Sequence, residues 1–166
     1  MRCLPRHPSL VGLEGLVGHK GRYYLALEYC RGGEVFQEVE KHGLLSEDRA
    51  ARLMSGAVAA IKHMHSHRVA HRDLKLENLL LADVGGDDVK VCDLGLALHV
   101  QDGARATKVC GTKSYTAPEI LAHHAGPSHP GYDRSRPTST PSACAFSPWW
   151  PASSRLRWRG AQTGGS

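Results

Sequence analysis

The stretch "HRDLKLENLLL", residues 71–81, sets a base, two cations, two acids and an amide in eight residues and then turns apolar. It reads as a catalytic loop running into a buried strand. Asp73, Lys75 and Asn78 lie within six residues, and a further acid, Asp93, follows the next apolar segment. Asp and Asn offer the oxygen ligands that magnesium takes, and Lys suits a phosphate. Asp73 is placed to orient a hydroxyl nucleophile. Phosphoryl transfer needs this set: cations to neutralise charge, a contact on the moving group, and a base at the acceptor.

Working outward, "ENLLLA" and "DVKVCDLG" form two short apolar segments separated by the turn-like "DVGGDD", which predicts a small hairpin. Upstream, "SEDRAARLMSGAVAAIKHMHSH" (46–67) predicts the main helix, with Ser46 as N-cap and Glu47 and Asp48 at the positive end of its dipole. Leu53, Met54, Ala57, Ile61 and Met64 form its apolar stripe. A shorter helix over "EVFQEVEKHG" ends at Gly43. "SLVGLEGLV" (9–17) and "RYYLALEY" (22–29) predict strands joined at "GHKG". "TAPEILAHH" reads as the start of another helix, whereas 98–111 has no strong period. After Tyr132 the composition shifts to Ser, Pro, Arg and Trp.

The formal charge of +5 does not describe a basic face. Residues 1–133 hold 16 Lys/Arg and 16 Asp/Glu, and the excess is the five arginines of the tail. A nucleic-acid partner is therefore not expected, since neither fold nor motif supports an RNA-binding arm. The five cysteines form no C-x-x-C pair, which fits reduced thiols. Neither a signal peptide nor a membrane span is expected, which gives the cytoplasm as location with the nucleus open.

With these residues read, the chain is identified as resembling the protein kinases. "HRDLKLEN" is similar to their H-R-D-x-K-x-x-N loop, "DLG" to D-F-G, and "APE" stands as in the family. The three motifs keep order and spacing, with 20 residues from Asp73 to Asp93 and 26 from Asp93 to Glu119. Lys75 and "CGTKSYTAPE" resemble serine/threonine kinases, nearest the calmodulin-dependent and AMP-activated (Snf-related) groups. The implied fold is α+β and kinase-like but partial. Residues 1–133 would be the kinase portion, with small-lobe strands at about 7–29, a hinge at 30–33 and the front of the helical large lobe at 34–133.

The resemblance implies roles. Asp73 would be the catalytic base, Lys75 the contact to the transferred phosphate, and Asn78 and Asp93 the magnesium ligands. "LEYCRGG" matches the hinge, so Glu28 and Cys30 would meet the adenine of ATP with their backbones. Leu27 would be the gatekeeper, Leu80 the adenine floor, and Glu34 would face the ribose. Glu34 and Glu77 would favour a protein substrate with basic residues near its phosphoacceptor. Thr112 would bridge Asp73 and Lys75. Arg72 implies control by an activation-loop phosphate placed on Thr107 by an upstream kinase. Leu94 replaces the usual Phe, and Leu76 and Lys113 occupy frequent Pro positions; none of these removes a reacting group.

The sequence contains no G-x-G-x-x-G and no counterpart of the ATP-gripping strand lysine. The expectation is a truncated domain, with a catalytically inactive fragment or pseudokinase-like binding module as the alternative to an active enzyme. Residues 134–166 are expected to be unstructured. Read one base out of frame, the stretch from Thr138 is compatible with D-V-Y-S-x-G-V, and Ala152 to Leu156 with G-x-x-P-F. This suggests a frame lost between about Gly131 and Pro137. His63 and His67 lie one helical turn apart, a spacing that suits a metal. Their segment nevertheless resembles the usual end of the kinase helix, which favours a structural role.

Overall fold

The computed structural model describes residues 4–100, 105–106, 110–112, 115 and 132–133. The expected helix at "TAPEILAHH", Thr107 and the tail 134–166 fall outside the described residues.

The predicted main helix forms as α2 (Glu47–Ser66), and the Ser46 side chain accepts from Arg49 N at 3.3 Å. That cap satisfies one of the N–H groups a helix start leaves without a partner. Ala50, Leu53, Met54, Ala57, Ala60, Ile61 and Met64 are all buried on one face. The shorter helix, α1 (Val35–His42), buries Val35 and Val39, and Gly43 N closes it on Val39 O at 2.8 Å.

The hairpin predicted around "DVGGDD" forms from β5 (Leu79–Leu81) and β6 (Val89–Val91), with Leu80 opposite Lys90. Alternation does the sorting here. Leu79, Leu81, Val89 and Val91 are buried in the core with α2, while Leu80 and Lys90 lie on the other face. Each such burial contributes roughly 1.5–3 kcal/mol before entropy is counted. A third strand, β3 (Gly33–Glu34), joins the edge of β5, with Glu34 opposite Leu80. It was not expected, because two residues carry no period.

Just before β3, the backbone at Arg31 and Gly32 docks on the same sheet through Arg31 N to Ala82 O (2.9 Å) and Gly32 N to Leu81 O (3.0 Å). The approach is so close that a Cβ on Gly32 would stand 2.4 Å from Leu81 Cβ and 2.5 Å from Asp83 O. Only glycine fits.

Upstream, β1 (Leu13–His19) and β2 (Arg22–Leu27) form an antiparallel hairpin turning at Lys20 and Gly21. The first strand begins later and ends later than predicted. Residues 9–11 pair with β6 instead, through Val91 N to Ser9 O (2.8 Å) and Val11 N to Val91 O (3.0 Å). Burial of Leu10 in the core with the α2 residues explains that choice. Leu16, Val17, Tyr23 and Leu25 of the hairpin are exposed.

The "no strong period" stretch after Leu98 also hides a strand. β4 (Val69–Ala70) pairs with β7 (Leu98–His99) and so brackets the polar loop and "DLG". Further on, β8 (Arg105–Ala106) pairs with β9 (Tyr132–Asp133). Arg49 bridges Glu38 of α1 (2.9 Å) and Asp87 of the β5–β6 turn (3.1 Å), which ties the two helices to the sheet.

Candidate active site

The loop between β4 and β5 carries the polar residues of the opening stretch, and it is held from both sides. His71 is 1% exposed. Its Nδ1 accepts from Asp73 N at 3.2 Å, so Nε2 carries the proton and donates to Cys92 O at 2.9 Å. Burial holds its pKa below 6.5 and keeps the ring neutral. Cys92 N in turn donates to Asn78 O at 3.0 Å. These two bonds fix the loop against the strand end that bears Asp93.

Two residues of the polar stretches are left-handed without being glycine: Arg72 (φ 70°) and Asp93 (φ 57°). Such backbone costs of order 1 kcal/mol and persists where the surroundings over-determine it, commonly at functional sites. Gly111 (φ 101°) sits against Arg72, and a Cβ there would meet Arg72 O at 2.5 Å.

Asp73 is the hub. Its Oδ1 accepts from Thr112 N at 2.9 Å and from Thr112 Oγ1 at 2.8 Å. Lys75 Nζ stands 3.5 Å from Asp73 Oδ2 and 3.4 Å from Thr112 Oγ1. Asn78 Nδ2 donates to Asp73 O at 2.8 Å and to Asp73 Oδ2 at 3.4 Å. Burial alone would raise the Asp73 pKa, but the Thr112 bonds and the Lys75 charge outweigh it and hold the carboxyl below its ordinary range. It is an ionised hydrogen-bond acceptor at neutral pH.

Asp93 Oδ1 accepts from Gly95 N at 3.0 Å. The donor set suits magnesium: Asn78 gives its amide nitrogen to Asp73, which leaves the amide oxygen, and Asp93 adds a carboxylate. Magnesium is typically bound by one or two such groups and completes its shell with phosphate and water. Among the described residues no group of three or more His, Cys, Asp or Glu is arranged for a metal. The His63 and His67 ring centroids lie 4.5 Å apart, with the ring planes tilted by 47°.

Of the expected nucleotide contacts, Glu34 and Leu80 meet directly across β3 and β5, both half-buried. Cys30 is buried, and burial raises its thiol pKa. Leu27 stands apart on the hairpin, 51% exposed. The Glu28 carboxylate is taken up by Lys90 Nζ at 2.9 Å and Gly12 N at 3.0 Å, which lower its pKa. Around the loop, Arg72 Nε donates to Leu96 O at 2.6 Å, and Tyr115 Oη to Glu77 Oε2 at 3.4 Å.

Sequence reasoning missed His71 as a bridge and Lys90 altogether. The β5–β6 alternation is the signal that places Lys90 and Cys92 on the cleft face with Leu80. Burial, with Asp93, Cys30 and Glu34 nearby, pushes the Cys92 thiol up to about 11, which makes it inert.

An ionised Asp, a Lys and an amide on one loop, tied to a strand end that bears a second Asp, form the arrangement that the kinase motifs imply. The protein kinase domain model matches residues 1–134, and the chain belongs to that family. It is 42% identical over 134 residues to CBL-interacting protein kinase 11 of Oryza sativa subsp. japonica, covering 78% of this chain and 25% of the relative. It is 41% identical over 123 residues to mitosis inducer protein kinase cdr1 of Schizosaccharomyces pombe, covering 74% and 21%. With calcium-dependent protein kinase 24 of Arabidopsis thaliana the figures are 36% over 128 residues, covering 76% and 22%. The chain thus spans about a quarter of the length of these relatives. No helix among the described residues is long and apolar enough to cross a membrane.

Proposed function

We propose that the chain carries the phosphotransfer site of a protein serine/threonine kinase, moving the γ-phosphate of ATP to Ser or Thr hydroxyls of proteins. The observation that carries this reading is the Asp73 hub, a single ionised carboxylate bonded by Thr112, Lys75 and Asn78.

The substrate hydroxyl donates to Asp73, which takes its proton as the oxygen attacks phosphorus. The bond from phosphorus to the bridging oxygen breaks, and ADP leaves with that electron pair. Lys75, at the same carboxylate, offsets the charge on the moving phosphoryl group. Thr112 holds Asp73 and Lys75 in register from the segment that would support the substrate. Magnesium held by Asn78 and Asp93 would neutralise phosphate charge. The backbone at Glu28 and Cys30 would take the adenine, with Leu27 and Leu80 lining it and Glu34 at the ribose. Glu34 and Glu77 would select basic residues in the substrate. Arg72 would read a phosphate placed on Thr107 by an upstream kinase. The likeness to relatives named as CBL-interacting and calcium-dependent kinases supports the Snf-related and calmodulin-dependent placement.

The test is transfer of labelled phosphate from MgATP to a basic Ser/Thr peptide by the full chain, beside Asp73→Asn and Asp93→Asn. Both substitutions should lower transfer by at least about a hundredfold. Equal transfer by all three overturns the reading. Nucleotide binding without transfer in any of them selects the binding-module alternative.

A further inference from the structure

Lys90 lies on β6, three residues before Asp93, with Val89 and Val91 on either side turned into the core. Its ammonium meets Glu28 Oε1 at 2.9 Å and donates to Pro8 O at 2.9 Å. The second carboxylate oxygen of Glu28 accepts from Gly12 N at 3.0 Å. One ion pair thus gathers three segments distant in sequence: the approach to β1, the exit from β2 into the hinge, and the strand leading to Asp93. The Lys90 side chain is 16% exposed and that of Glu28 35%, so solvent screens this pair only in part.

The need for such a tie follows from the hairpin. With Leu16, Val17, Tyr23 and Leu25 exposed, β1 and β2 gain little orientation from core burial. Backbone bonds at Val11, Glu28 and Arg31 set the path of the chain at their base. A second side-chain tie from the hinge, Arg31 to Asp83 at 2.6 Å, is exposed on both partners (71% and 63%) and reaches the β5–β6 turn rather than the strand before Asp93. Exposed pairs of that kind contribute little.

We propose that Glu28 and Lys90 are a positioning pair that sets where the hinge backbone at residues 28–30 stands relative to Asp93, and with it the aperture of the nucleotide cleft. The nucleotide part of this proposal rests on the kinase reading above; the positional part does not.

Hydrogen exchange and ADP binding in the presence of Mg2+, measured on the full chain, test both parts. Lys90→Met should speed amide exchange over residues 11–30 about fivefold, leave α2 unchanged, and weaken ADP about fivefold, while Lys90→Arg restores both. Glu28→Gln, which keeps an acceptor for Gly12 N but loses the charge, should shift both in the same direction. Unchanged exchange over 11–30 in Lys90→Met, or an equal rise in α2, overturns the proposal. If Lys90→Met does not fold, the Glu28→Gln exchange decides by the same criterion. A wild-type chain that binds no ADP removes the kinase reading, and exchange still decides the latch.

Discussion

His71 and Cys92 are joined by a 2.9 Å bond from the imidazole Nε2 to the backbone carbonyl, inside a region where the ring is 1% exposed. The bond ties the Asp73 loop to the strand end before Asp93. Replacing His71 with Ala strands two part-buried backbone groups, Cys92 O and Asp73 N–H, and opens a cavity. The expected loss is about 2–4 kcal/mol of unfolding free energy in urea. A loss below about 0.5 kcal/mol would show that the bridge does not organise the site.

The same ring sets a pH dependence. His71 is held below its ordinary 6.5 by burial, and His65 is shifted down by the same cause. A lowered pKa means that the unfolded chain binds the proton first as pH falls. Stability from these groups is therefore complete above pH 6.5 and declines as pH drops from 6.5 toward the folded-state value. His71 costs up to about 1.4 kcal/mol per pH unit in that window, and the half-buried His65, screened by solvent, costs less. Urea midpoints measured from pH 7.5 down to 5 should fall, and less so in His71→Asn.

Thr112→Val removes the hydroxyl that donates to Asp73 Oδ1 and contacts Lys75, while keeping the backbone N–H bond. The Asp73 carboxyl should titrate higher than in the wild type, as followed by carbon-detected NMR. Phosphate transfer should fall about tenfold, an effect of roughly 1.4 kcal/mol on the barrier. An unmoved Asp73 titration would contradict the role given to Thr112.

Gly32→Ala places a methyl 2.5 Å from Asp83 O and 2.8 Å from Leu81 O, backbone atoms that have no rotamer to yield. Hinge docking on β5 should weaken, with a loss of about 1–3 kcal/mol measured by thermal or urea unfolding. Gly15→Ala is the contrast, since its φ is not positive and a Cβ there meets only Ala26 Cβ at 3.7 Å, an ordinary contact.

Much of this was legible before any coordinates. Long periodicity gave α2 and its Ser46 cap, because twenty residues repeat the signal often enough to be read. Apolar triplets around a Gly-Gly turn gave β5 and β6, and motif spacing marked Asp73, Lys75, Asn78 and Asp93 as candidates, of which the first three are bonded together. What stayed hidden is held by single tertiary bonds. β3, β4 and β7 are two residues each and exist because partners elsewhere in the chain accept them. The start of β1 was misread because Leu10 answers to the core and not to its own hairpin. Glu28 and Lys90 lie far apart in sequence, and no local pattern marks them as a pair. The expectations for Thr107 and the tail fall on residues outside those described.

In the proposed reaction Asn78 and Asp93 serve one magnesium nucleotide. Binding of ATP to the full chain should therefore be measured with and without Mg2+ in the wild type, Asn78→Ala and Asp93→Asn. Magnesium should tighten binding about tenfold or more in the wild type, and either substitution should abolish that gain. The same magnesium gain in Asp93→Asn as in the wild type would contradict the account.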